Sequence, residues 1–330
     1  MTGPGESTPA ATAAGVSVSG DRSGAARRRI PATDRRLAEA GVLGVMVLWA
    51  GNFIVVKSAV GVLPPVGFTF LRFTLVSATL FLLLRWREGS LGLPRRDRLA
   101  IMGFGALGFG VYQILWTTGL QTVPAGDSAL IIAATPVLVA LIAVVAGTDV
   151  LTPVKLAGVL VSFAGVAVVI ASGQGLTLGG EIAGEAMTLL AALLWSIYTA
   201  YAGPYLRRYS PLRATAWAAL AGTLVLAPIG LVQLSSVDVS ALEPAVLAAI
   251  LYSGMLSSGV SNVVVMNGVK VVGPTRTAAM QFLVPALAVV LAAVFLDEPI
   301  RAGQVVGGVV IVAGVLLTRW QPRRTRAPAP

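Results

Sequence analysis

The sequence predicts an all-α integral membrane protein, ten transmembrane helices arranged as two inverted five-helix repeats. Three observations lead there. The 330 residues are 56% hydrophobic and only 12% charged, with a mean hydropathy of +0.85, whereas soluble domains carry about 25% charge. Apolar stretches near the ~20 residues needed to cross ~30 Å of hydrocarbon recur ten times. The chain also repeats itself, early in each half at an offset of 146 residues and later at 149.

Residues 1–37, rich in Ala, Gly, Ser, Thr and Arg, hold too few large apolar side chains to form a core and are expected to be a disordered cytoplasmic tail. They lack the short apolar stretch that follows the basic start of a signal peptide. The apolar segments then fall at about 38–58, 66–85, 99–118, 125–146, 153–172, 183–203, 212–232, 244–267, 274–296 and 302–319. Helices are expected because lipid offers backbone groups no partner. A large soluble protein with ten buried helices would need amphipathic segments to cover them, and none is evident.

The net charge of +10 has an informative placement. Six arginines lie in the first 36 residues, five between 85 and 98, and four between 319 and 326. These clusters flank apolar runs instead of forming a folded basic face, which argues for a bilayer and against nucleic acid. With a cytoplasmic amino terminus, all Lys and Arg except Lys57, Arg72 and Arg301 fall on inner segments or inner helix ends, as the positive-inside rule requires. Glu181, Glu185, Asp238 and Glu243 fall on the other side. Both termini are therefore expected inside.

The repeat sets Leu48-Trp49 beside Leu194-Trp195 and Pro65 beside Pro211, then Pro136 beside Pro285, Asp149 beside Glu298 and Gly158 beside Gly307. The copies span 38–172 and 183–319, joined by an extracytoplasmic linker at 173–182 and followed by a cytoplasmic tail at 320–330. Five crossings is an odd number, so the second copy enters the membrane from the opposite face. Inverted copies provide two similar states around a midplane site, one open to each side. The acidic turn FLDEPIRAG (295–303) and its counterpart GTDVLTPVK (147–155) read as helix junctions. Pro299 and Pro153 suit the first turn of the following helix, with Glu298 or Thr152 serving its free amides. Asp149 and Glu298 are read as caps in preference to proton carriers.

Several of these residues carry a family likeness. LWAGNFIVVK (48–57), PPVGFTFLRF (64–73), the paired Pro136 and Pro285, and LDEPI (296–300) together resemble the EamA-type transporters of the drug/metabolite transporter superfamily. Asp149 departs from the glutamate usual in the first acidic turn of that family. The resemblance implies a multi-pass carrier of the bacterial-type inner (plasma) membrane, moving small metabolites and often exporting amino acids or related compounds.

Charge inside a membrane is costly, about 2.5–3.5 kcal/mol at a helix centre on insertion scales. Arg72, some six residues into helix 2, is therefore a candidate for binding a substrate carboxylate. Lys57 and Asp127 fall near the same depth and could form a gate with it, while Asp127 aligns with Arg276 in the second copy. Lys57 could instead snorkel to the interface, and Arg72 could serve a structural ion pair. Helix 3 places Phe109, Tyr112, Gln113 and Trp116 on one stripe. Trp49 and Asn52, Trp195 and Tyr198, Asn262, and Gln281 one turn before Pro285 add polar and aromatic groups on other helices. Together they predict a mainly apolar cavity with a few orienting polar groups, though helix packing makes use of the same residue types.

The chain has no Cys and no His, so thiolate chemistry is ruled out and no metal set or cofactor is expected. A coupling ion or proton is compatible with the pattern, and the sequence assigns no oligomeric state. GFGALGFG (103–110) lacks the strand and polar loop of a phosphate site, and no Walker motif is present. The expected function is alternating-access transport of a small-molecule substrate, not catalysis. A membrane enzyme acting on lipid or isoprenoid substrates is the rival reading, but it would gather Asp, Glu or His at one face, and here the acids are scattered singly. A receptor or scaffold would leave the repeat without a purpose.

Overall fold

The structure, a computed structural model, describes residues 32–147, 150–172, 180–238, 242–272, 277 and 280–319. Their regular structure is all helical, with no strand among them. The helices are α1 (Ala32–Val62), α2 (Pro65–Glu88), α3 (Arg95–Gly119), α4 (Ala125–Val145), α5 (Pro153–Ala171), α6 (Gly180–Arg208), α7 (Pro211–Leu234), α8 (Pro244–Val260, running on as Ser261–Val271), α9 (Leu283–Phe295) and α10 (Ala302–Arg319). Helices α1 to α7 are long and apolar enough to cross a membrane. Pro244–Val260, Leu283–Phe295 and Ala302–Thr318 are apolar but shorter, so seven of the ten expected crossings reach full length among the described residues. Leu283–Phe295, at 13 residues, spans only about 20 Å.

Local chemistry sets the ends. Prolines occupy the first position of α2, α5, α7 and α8, where the missing N–H costs nothing. Thr152 and Ser210 accept from the amides of Lys155 (3.2 Å) and Arg213 (3.1 Å). Gly89, at φ 67°, closes α2 by returning its N–H to the Arg85 carbonyl. Helix α1 starts earlier than its apolar run, so residues 32–37, expected in the tail, are helical. There Arg35 pairs with Glu39 one turn on (3.3 Å), a spacing that extends a polar helix end. Likewise α6 begins at Gly180, inside the expected linker.

Two junctions gather at one end of the bundle. Glu88 accepts from the Ser210 hydroxyl and pairs with Arg213 (2.9 Å). Tyr209 donates to Asp97, and this bond holds its phenol above the ordinary value. Arg85, Arg87, Arg95, Arg96 and Arg98 flank the same junction between α2 and α3. At the opposite end the α1–α2, α3–α4 and α9–α10 turns meet. Lys57 Nζ donates to the carbonyls of Leu120 (2.7 Å) and Val123 (2.8 Å) at the end of α3, and the Gly67 amide donates to Gln233 on α7 (2.8 Å). An apolar cluster that includes Phe53, Val56, Leu63, Phe68, Trp116, Leu120, Ala125 and Ala292 fills this end.

The α9–α10 turn corrects the expected caps. Glu298 does not serve α10; its carboxylate accepts from the amides of Ala125 (2.8 Å) and Gly126 (3.3 Å), the first turn of α4. Helix α10 begins at Ala302, three residues past Pro299, and Gln304 folds back to accept from the Arg301 amide (3.0 Å). Asp297 turns the chain at φ 54°, a conformation that Asp tolerates better than most residues. Asp149 lies outside the described residues.

Broad helix contacts join α2 to α7 and, broadest of all, α5 to α10. Glycines make the second seam close. A Cβ on Gly158 would sit 2.7 Å from the Gly314 carbonyl oxygen, and one on Gly165 2.8 Å from that of Gly307. Ser162 donates across this seam to the Ile311 carbonyl (3.2 Å). In the α2–α7 seam the hydroxyls of Ser77 and Thr223 lie 2.9 Å apart.

Candidate functional site

A cavity of about 320 Å³ opens between α1, α2, α3, α4, α6, α8 and α9, at the small end of the size range of ligand pockets. Backbone irregularities shape its walls. In α3, residues Ala106–Val111 form a π-helical segment, and in α8 residues Tyr252–Val260 form another. Ser258 and Ser261 donate to carbonyls five residues back, at 2.9 and 2.8 Å, which accommodates the wider turn. Such segments commonly mark functional sites. They bring Phe109, Ser257 and Ser258 to the wall.

Helix α4 is interrupted between Ile132 and Thr135. Pro136 has no N–H to give the Ile132 carbonyl, and Thr135 Oγ1 donates there instead (2.6 Å). The turn at Gln281 and Phe282, ahead of Pro285, interrupts the second copy in the same way. Thr135, Pro136, Gln281, Phe282 and Pro285 all line the cavity.

Arg72 is the charged group of this wall. It is 1% exposed, and its guanidinium donates to Ser253 Oγ (2.7 Å) and Gln113 Oε1 (2.6 Å). Ser253 in turn donates to Asn52 Oδ1, so one polar chain links α1, α2, α3 and α8. Arg72 Nε is buried with no acceptor among the described residues. Among the described residues no carboxylate pairs with it; aromatic faces surround it instead, with Phe73 at 5.2 Å and Phe68 and Trp116 at 5.8 Å. The aromatic wall continues through Tyr112, stacked on Trp116 (6.2 Å, 7° between planes), to Trp195 at 5.5 Å and Phe109 at 5.4 Å from Trp195. Trp116 Nε1 donates to Ser128 (3.1 Å), and Trp49 Nε1 to the Ser257 carbonyl (2.9 Å).

Of the residues expected at the site, Trp49, Asn52, Arg72, Tyr112, Gln113, Trp116, Trp195 and Gln281 line this cavity. Tyr198 does not. It stands behind the wall, packed on Phe109 (5.1 Å) and Trp195 (5.2 Å), because it shares the α6 stripe of Trp195 but is turned towards α3. Asn262 falls on Ser261–Val271, with its side chain outside the described residues, and Arg276 lies outside them altogether. The expected pairing of Asp127 with Arg72 or Lys57 is also corrected. Asp127, fully buried, pairs with Arg301 and accepts from Gln304 Nε2 (2.7 Å), while Lys57 holds carbonyls of the α3–α4 turn. Phe53, Phe73, Phe109, Ser253, Ser257 and Ser258 were not singled out as site residues. Only Phe109 had a readable signal, the stripe it shares with Tyr112 and Trp116.

Comparison with known proteins places this geometry in a family. The EamA-like transporter family matches residues 36–171 and again 182–320. An uncharacterized transporter of Archaeoglobus fulgidus is 30% identical, over 83% of this chain and 94% of its own. A probable terminal-alkyne amino-acid exporter of Streptantibioticus cattleyicolor is 30% identical, over 86% of this chain and 95% of its own. A probable amino-acid metabolite efflux pump of Salmonella typhimurium is 25% identical, over 85% and 95%. One solved crystal structure, 21% identical, covers 89% of this chain and 99% of its own at a TM-score of 0.63, a likeness of fold. Two successive matches spanning most of the chain, with these relatives, establish that the protein belongs to the EamA-like transporter family.

Proposed function

We propose that the protein is a secondary transporter that exports small organic metabolites, amino-acid-like compounds foremost, by alternating access around the cavity. The observation that carries this reading is a buried arginine with no carboxylate partner among the described residues, set in an aromatic cavity walled by both family copies. The printed names of two relatives, an amino-acid exporter and an amino-acid metabolite efflux pump, favour the same substrate range and direction. Trp49, Asn52, Arg72, Tyr112, Gln113, Trp116, Trp195 and Gln281 are proposed to contact substrate.

We further infer ten crossings in two inverted copies, with both termini in the cytoplasm. Arginine placement supports the orientation. Equivalent positions also meet each other: Ser162 bonds to Ile311, 149 residues on, and Ser77 to Thr223, 146 residues on. A two-fold relation between the copies makes a residue on the axis touch its own counterpart. It likewise turns the contact of Gly158 with Gly314 into that of Gly307 with Gly165. The π-helical segments, starting at Ala106 and Tyr252, are 146 residues apart as well.

In this orientation the apolar cluster, Lys57 and the Asp127–Arg301 pair close the external mouth. Arg276, the repeat counterpart of Asp127, is proposed for the cytoplasmic mouth. Reconstituted in liposomes preloaded with unlabelled amino acids and related metabolites, the protein should drive counterflow of a labelled member of that panel. A folded, correctly inserted protein that exchanges nothing across the panel overturns the transport reading.

A further inference from the structure

We propose that the cavity selects its ligand by one negative charge, binding monocarboxylates with a flat apolar tail on Arg72, and that an amino group on the ligand is dispensable. This rests on the reading of the cavity as the substrate site and goes further, since an amino-acid carrier would need to recognise both ends of a zwitterion.

The charge count comes first. Among the described residues that wall the cavity, Arg72 is the only charged one. Its partners are neutral, and Nε has no acceptor among the described residues. A buried cation without a counterion is held at a cost that an opposing charge relieves. One carboxylate neutralises it, a dianion would leave an excess charge in the same apolar space, and a cation would double the existing one. The planar guanidinium also matches the geometry of a carboxylate.

The second argument is what an ammonium group would find. The acids at the first turn of α4 are committed elsewhere: both oxygens of Asp127 are held by Arg301 and Gln304, and those of Glu298 by the α4 amides. The amide oxygens close to Arg72 are engaged too, Gln113 Oε1 by the guanidinium and Asn52 Oδ1 by Ser253. Aromatic faces remain, with the neutral Gln281 amide and Tyr112 hydroxyl, which tolerate a cation without supplying the charge that would require one. The same faces, the stacked Tyr112 and Trp116 and the adjoining Trp195, suit a flat apolar tail.

The test reads binding without flux. Trp49, Trp116 and Trp195 line the cavity, so intrinsic tryptophan fluorescence of the full-length protein in nanodiscs reports its occupancy. Four probes share a phenyl ring: 3-phenylpropanoate, phenylalanine, phenylalaninamide and 2-phenylethylamine. The two carboxylates should titrate within about threefold of each other, and the amide and amine should bind at least roughly tenfold more weakly. Arg72→Gln should lose the carboxylate preference and Arg72→Lys should keep part of it, both checked for folding by size-exclusion and thermal unfolding.

Comparable binding of the amine or amide overturns the proposal. So does binding of phenylalanine but not 3-phenylpropanoate, an unchanged Arg72→Gln, or silence towards both carboxylates at millimolar concentration. The two readings fail separately. Carboxylate binding without counterflow would sink transport and leave this site standing, whereas counterflow of amines independent of Arg72 would sink this site and leave transport standing.

Discussion

Asp127 shows how much a single side chain commits. Fully buried, it meets Arg301 and Gln304, so replacing it strands a guanidinium that is itself mostly out of solvent. Asp127→Asn should cost about 3–5 kcal/mol, the range for breaking a buried pair from one side. The double variant Asp127→Leu with Arg301→Met should recover part of that loss, because no charge is left unpaired and only the Gln304 amide loses its acceptor. Thermal unfolding in one detergent checks both, and additive losses would show that the two residues do not act as a pair. At this scale the sequence was legible where physics makes a residue conspicuous. A charge within an apolar run exposed Arg72, and helical spacing exposed Tyr112, Gln113 and Trp116. The partners were not legible. A serine in an apolar helix carries no mark that it will meet a guanidinium, as Ser253 does, and Arg301 looked like part of a surface turn. Tyr198 misled because spacing of three residues assigns a stripe, not the direction in which that stripe faces.

Among the helices, the α5–α10 seam gives the sharpest expectation. Gly165→Ala would press a methyl group to within 2.8 Å of the Gly307 carbonyl oxygen and 2.7 Å of the Ile311 nitrogen, which should destabilise the protein by about 1–3 kcal/mol. Gly44→Ala, where an added Cβ meets nothing within 4 Å, should stabilise by about 0.5–1 kcal/mol, since glycine in a helix interior gives up more backbone freedom. Chemical unfolding followed by far-UV circular dichroism ranks the two. Segment lengths, prolines and glycine spacing made most helices readable in advance. The π-helical segments of α3 and α8 were not, because an i→i+5 ladder leaves no composition that distinguishes it from the helix on either side. The early start of α1 escaped notice for a different reason: its first turns are polar and draw on an ion pair instead of apolar burial.

For the molecule as a whole, the proposed inverted arrangement makes a direct demand. Ser90 and Ser236 are equivalent at the 146-residue offset, both are exposed, and they sit beyond opposite ends of α2. The chain has no cysteine, so Ser90→Cys and Ser236→Cys each introduce a unique thiol. In intact cells a membrane-impermeant maleimide should modify the second and spare the first until the membrane is permeabilised. Modification of both from outside would rule out opposite orientations.

The α9–α10 turn also bears on how this protein moves. One short stretch reaches into the other copy at two places, Glu298 on the first amides of α4 and Arg301 with Gln304 on Asp127 in the same turn. The eight-residue segment they grip, Ala125–Ile132, ends at the interruption beside the cavity. A strut bolted twice at one end and jointed at the other does not loosen by degrees. While either bolt holds, it keeps the second within reach of its socket, which predicts that the strut releases both contacts together and not by degrees.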